Sequence, residues 1–142
     1  MQRLFLDANV IIAVLNKEYP LFTHAARILS LADKPGINLY TSPVCLSIAF
    51  YFAEKKCGTQ KAKEKINTLI DHIGICAMNE EMVKKTISNV KIHDFEDGLE
   101  YFAAAGAQCT SIITENEEDF YFSDIPVKNC ENFLTDYFTE KP

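Results

Sequence analysis

No part of the chain is both long and apolar enough to cross a bilayer. Its longest apolar stretches, around Asn9 to Leu15 and Val44 to Ala53, fall far short of the ~20 residues a membrane helix needs. Glycine and proline are scarce, five of each in 142 residues, which excludes a collagenous or low-complexity chain. There is no internal repeat, no block of five like charges, and no linker richer than Asp33 to Gly36 (DKPG). The opening MQRLFLDANVII has one Arg and an early Asp in its apolar run, with no small-residue cleavage site after it, which argues against a signal peptide and for a cytoplasmic protein. The five cysteines (Cys45, Cys57, Cys76, Cys109, Cys130) form no CxxC or Cys/His pairing at metal spacing. They read as buried or half-buried thiols of a reducing compartment. His24, His72 and His93 stand far apart, so a zinc site is not expected. Positive charge is also short: 14 Lys and Arg against 20 Asp and Glu leave −6. That balance argues against binding nucleic acid by broad phosphate attraction, but not against an enzyme that holds phosphates through a divalent metal.

What is present suits one domain spanning residues 1–142. The chain is 48% hydrophobic, and a chain of about 150 residues buries roughly 68–70% of its unfolded surface without needing disulfides or a structural metal. Arg3 to Asp7 (RLFLD) reads as a buried strand and Asn9 to Leu15 as the first helix. Thr23 to Ala32 has helical spacing with Thr23 as a candidate cap, ended by Pro35-Gly36. Asn38 to Thr41 is a short strand, and Ser42-Pro43 has the cap-then-proline signature of a helix running to about Lys56. Gln60 to His72 is an amphipathic helix, Ile75 to Met78 a strand, and Asn79 to Ser88 a helix with an Asn cap and two early acids. Asp94 to Ala105 repeats that grammar. Cys109 to Thr114 is a β-rich run, Pro126 to Lys128 a last short strand, and Glu131 to about Phe138 a terminal helix. Short apolar strands alternating with helices predict an α/β domain with a mostly parallel sheet, whose ligands bind at the carboxyl ends of the strands.

Two acids fall where that rule places a site. Asp7 closes the first strand, and Asp119 follows the CTSIIT strand by a few residues. Asp94 and Asp97 lie three apart at the start of a helix, hence on one face. Oxygen ligands without a Cys/His set suit Mg²⁺ or Mn²⁺, and carboxylates brought close together require a cation to offset their repulsion. Each acid also has a plainer use. Asp94 suits an N-cap, Asp97 an acid near the helix dipole, and Asp119 a solvated loop among Glu115, Glu117 and Glu118. Asn9 suits either a cap or a hydrogen bond to Asp7. Thr114 and Asn116 suit either positioning a water at the metal or capping a turn.

These residues resemble the PIN-domain nucleases, which include the toxins of VapBC toxin–antitoxin pairs. LDANVII is similar to that family's first-strand motif, DFEDGLEYFAA to its DFEDALQ-type segment, and IITENEEDF to its strand-then-TRNxxDF ending. The three occur in the expected order over most of the chain. The resemblance implies a PIN-like three-layer α/β/α fold, a pocket of acids holding Mg²⁺ or Mn²⁺, hydrolysis of RNA phosphodiesters and a small antitoxin partner. It places the family's first acid on Asp7 and its third on Asp97, with Asp94 as accessory. The fourth falls on the Thr114, Asn116 and Asp119 region, where Asp119 is favoured with Asn116 assisting.

Two positions depart from the pattern. The family's second acid should lie near Ser47 or Ile48, where there is none, and Glu54 follows about two helical turns later. The Arg of the TRN motif is Glu115. A second reading is therefore a PIN-like module, weakened or inactive as a catalyst, that binds RNA or a protein partner. A phosphotransfer protein with Asp7 as nucleophile fits less well: a haloacid dehalogenase-type phosphatase would need an Asp at Asn9, and a response-regulator receiver an acidic pair and late Lys that cannot be placed. The aromatic and aliphatic residues of the early helices suit an apolar patch for a homodimer or an antitoxin helix.

Overall fold

In the computed structural model, which describes residues 1–140, the strands are β1 (Gln2–Leu6), β2 (Ile37–Thr41), β3 (Gly74–Ile75), β4 (Ser111–Ile113) and β5 (Val127–Lys128). They form one sheet in the order β3-β2-β1-β4-β5. Every pairing is parallel, so all strands end at the same edge. The helices are α1 (Ala8–Asn16), α2 (Leu21–Ser30), α3 (Pro43–Cys57), α4 (Thr59–Ile70), α5 (Glu80–Ser88), α6 (Phe95–Gly106) and α7 (Cys130–Glu140). Single 3-10 turns lie at Leu31–Asp33 and Glu117–Phe120. The expected mostly parallel α/β/α fold is present.

Side chains of β1 alternate across the sheet, as strand geometry requires. Leu4 and Leu6 enter a core with Val10, Ile11, Ala25, Ile28, Leu69 and Phe133. Phe5 enters a second core on the other face with Cys45, Ala103, Ala104, Ile112 and Phe120. Burial on both faces explains why β1 has a nearly unbroken apolar sequence. Two lysines secure the far end of α1: Lys65 Nζ donates to the Leu15 carbonyl at 2.8 Å and Lys56 Nζ to that of Asn16. Cations suit that end of a helix dipole.

The element boundaries differ from the sequence reading in two instructive places. Thr23 is not the cap of α2. The helix starts at Leu21 behind Pro20, which already has near-helical angles of φ −82° and ψ −11° and makes no side-chain cap bond. The φ preset by the proline thus outweighs the threonine signal. The strand expected over Ile75 to Met78 is only Gly74–Ile75 at the sheet edge, where Cys76 N donates to the Thr41 carbonyl at 2.7 Å as the chain leaves the sheet.

The chain runs β1, β2, β3 to one side and then returns to place β4 on the other side of β1. The crevice between the carboxyl ends of β1 and β4 is therefore the switch point where open parallel sheets bind ligands.

Candidate metal centre

Asp7 leaves β1 at this switch point and caps α1. It has extended backbone angles, and its Oδ1 accepts from Ala8 N at 2.6 Å. The other oxygen, Oδ2, faces across the crevice. There it accepts from Thr114 Oγ1 at 2.7 Å and from Asn9 Nδ2 at 3.5 Å. Asn9 Nδ2 also donates to Thr114 Oγ1 at 3.2 Å, and Glu115 N donates to Asn9 Oδ1 at 3.3 Å. Thr114 and Asn9 thus position the Asp7 carboxylate. Thr41 Oγ1 donates to the Leu6 carbonyl at 2.9 Å and ties the end of β2 to the backbone just before Asp7.

Helix α6 brings the second set of acids. Asp94 is spent on its N-cap, accepting from Asp97 N at 3.0 Å. Asp97, in the first turn, is half-buried with its pKa pushed up to about 7, first by burial and then by the carboxylates of Asp94, Asp7, Asp119 and Glu96. Those influences place Asp7, Asp97 and Asp119 in one electrostatic neighbourhood. Asp119 is exposed on the 3-10 turn, whose start Asn116 occupies without a side-chain cap bond.

Two residues that the sequence reading did not single out lie deeper. Glu100, one turn beyond Asp97, is only 2% exposed, and Cys45 in the first turns of α3 is 0% exposed. One potential ligand atom from each of Asp7, Cys45 and Glu100 lies within 4.8 Å of the others. The Cys45 thiol points toward Asp7 Oδ1 at 4.0 Å. Glu100 Oε1 is buried with no hydrogen-bond partner. Burial, followed by the neighbouring Asp7, pushes the Glu100 carboxyl up to about 11. Burial, then Glu100 and Asp7, raises the Cys45 thiol well above its usual range. Among the described residues, none of these acids is in an ion pair with a lysine or arginine. Buried carboxylates that crowd one another, with an orphaned oxygen among them, fit a divalent cation.

The departures from the family pattern have structural explanations. Ile48 is partly buried in the apolar core that also contains Cys45, one turn away. Glu54 is outside the pocket, accepting from Thr59 Oγ1 at 2.6 Å at the junction of α3 and α4. Glu115 accepts from Cys130 N at 2.9 Å and so caps the start of α7.

A sequence profile described as "PIN domain" matches residues 3–118. The chain belongs to the PIN-domain family. No curated protein matches the sequence. Solved PIN-fold structures do, at low identity. VapBC2 from Rickettsia felis, bound to a DNA fragment from its promoter, aligns with TM-score 0.71 and 15% identity over 90% of this chain and 98% of that one. VapBC-1 from nontypeable Haemophilus influenzae aligns with TM-score 0.69 and 20% identity over 92% and 99%. VapC20 from Mycobacterium tuberculosis, described as a sarcin-ricin loop cleaving toxin, aligns with TM-score 0.61 and 16% identity over 77% and 86%. At these identities the likeness concerns the fold of this PIN domain and not its chemistry.

Proposed function

We propose that this PIN domain, acting as one unit over residues 1–142, is a divalent-metal-dependent ribonuclease and the toxin component of a toxin–antitoxin pair. What supports the reading is the PIN-domain match over residues 3–118, together with the buried carboxylate of Asp7 at the β1/β4 crevice and the upward push that Asp7 and Asp119 exert on Asp97. Asp7, Asp97 and Asp119 hold Mg²⁺ or Mn²⁺, with Asp94 and Asn116 as outer partners and Asn9 and Thr114 positioning Asp7. An ion held there would supply positive charge for phosphoryl oxygens and would make water more acidic.

The choice of RNA is supported by the description of VapC20 as a sarcin-ricin loop cleaving toxin, and the choice of an antitoxin partner by the two VapBC structures. The exposed aromatic pair Tyr51 and Phe52 on α3 supports a homodimer contact. The five free cysteines support a reducing, cytoplasmic setting.

The test is cleavage of single-stranded RNA with Mg²⁺ or Mn²⁺ by wild-type protein and Asp7→Asn. Cleavage by the wild type and its loss in the variant support the reading. No cleavage by either, under conditions where an active PIN nuclease cuts, would favour the second reading, a PIN module that binds RNA or protein without cutting. That alternative draws on Ile48 standing where an acid is expected.

A further inference from the structure

The carboxylate missing from α3 has a neighbour on another helix. We propose that Glu100 of α6 takes its place, and that Cys45 of α3 joins Asp7 and Glu100 as a thiolate donor. Together they form a mixed oxygen–sulfur cation site that disfavours Mg²⁺. This rests on the metal-dependent reading above but changes its donor set.

Three observations support it. First, the spacing suits one ion: the three atoms lie within 4.8 Å of one another, with Cys45 Sγ 4.0 Å from Asp7 Oδ1, so a single point lies no more than about 2.8 Å from each, within a small adjustment of metal–thiolate and metal–carboxylate bond lengths of ~2.3 and ~2.0–2.2 Å. Second, Glu100 Oε1 is fully buried and without a hydrogen-bond partner. An orphaned carboxylate oxygen at 2% exposure is costly unless something binds it. Third, the position is right. Cys45 and Ile48 are one turn apart on α3 and pack in the same core, against which α6 lies. A carboxylate entering from α6 thus reaches the region that an acid at Ile48 would occupy.

Sulfur sets the selectivity. Mg²⁺ takes hard oxygen ligands and dehydrates reluctantly, whereas thiolate donors favour softer ions. Of the two ions that the family resemblance implies, this site prefers Mn²⁺, and Co²⁺ more strongly still. On binding, the Cys45 and Glu100 protons leave to the buffer as the thiolate and carboxylate form their bonds to the ion.

Co²⁺ is the probe, because thiolate ligation produces a near-ultraviolet charge-transfer band that oxygen ligands do not. Metal-free wild type, Cys45→Ser, Glu100→Gln and the double variant Ile48→Glu/Glu100→Gln would be titrated by absorption and calorimetry, each checked for folding by circular dichroism. We expect the band in wild type and its absence in Cys45→Ser. Affinity should fall about tenfold or more in Glu100→Gln and recover in the double variant, which returns the acid to α3. Co²⁺ that binds wild type without the band, and with equal affinity in both single variants, overturns the proposal, as does no Co²⁺ binding at all. RNA cleavage in Mn²⁺ by Glu100→Gln at the wild-type rate would likewise remove Glu100 from the site while leaving the nuclease reading standing. Loss of cleavage in Asp7→Asn with the Co²⁺ results negative separates the two in the same way.

Discussion

Thr114 Oγ1 donates to Asp7 Oδ2 at 2.7 Å across 107 residues of sequence. This bond joins the ends of β1 and β4 and is the closest side-chain support of the Asp7 carboxylate that faces the crevice. Both residues are buried, Thr114 completely. Thr114→Val keeps the shape but removes the donor. We expect Mn²⁺ affinity to fall about tenfold or more, the range for partners that orient a metal ligand, and stability to fall by about 1–2 kcal/mol. Calorimetry and urea unfolding check the two effects.

The metal-free protein should lose stability as pH rises. Glu100 is raised to about 11 from 4.5, and Asp97 to about 7 from 3.8. Each binds its proton more tightly folded than unfolded. Their stabilisation is therefore present below the unfolded pKa and lost as pH climbs toward the folded one. The Tm of metal-free protein should fall between about pH 5 and pH 9, with Asp97 contributing below about 7 and Glu100 throughout. Glu100→Gln should flatten that slope, and excess Mn²⁺ should reverse it. Parallel Tm curves for wild type and Glu100→Gln would contradict the assignment of Glu100 as a strained buried acid.

Gly98 allows α6 to lie close against its neighbours. A Cβ there would sit 2.4 Å from Thr86 Cγ2 on α5 and 2.8 Å from Ile92 Cγ2. Gly98→Ala should therefore destabilise the protein by about 1–3 kcal/mol despite the better helix propensity of alanine. Because Asp97 is the preceding residue, the same shift of α6 should weaken Mn²⁺ binding. Thermal unfolding and calorimetry on one preparation test both.

Glu115 is a cap for α7 and not a group of the pocket, since its Oε2 accepts from Cys130 N at 2.9 Å. Glu115→Ala should cost about 1 kcal/mol of stability and leave Mn²⁺ affinity within about twofold of wild type, the range in which separate sites stay additive. A large loss of affinity with unchanged stability would place Glu115 in the pocket instead.

Much of the fold was legible because its signals are local. The apolar run of β1, the Ser42-Pro43 start of α3, and the caps Asn79 and Asp94 each follow from backbone rules acting over a few residues. Asp7 stood out as an acid between two apolar runs, and its place at the end of β1 followed from strand and helix periods alone. Thr23 failed as a cap because a stronger local signal, Pro20, lies just ahead of it.

Glu100 was not legible in that way. In DFEDGLEYFAA it stands where the family segment ends in Gln, and it reads as one more acid on a helix. The available signal was its i, i+3 spacing from Asp97 among Leu99, Ala103 and Ala104, which puts it on the buried face. The sequence by itself determined the order of strands and helices, the parallel α/β class and the placing of Asp7 at a strand end, because 2.0 and 3.6 residue periods and caps are properties of neighbours along the chain. Only the tertiary structure decided that α6 would turn Glu100 toward α3, that Cys45 would meet it beside Asp7, and that Glu115 would cap α7. These contacts depend on packing across the sheet edge and on the exclusion of water there, and neither is encoded at any single position.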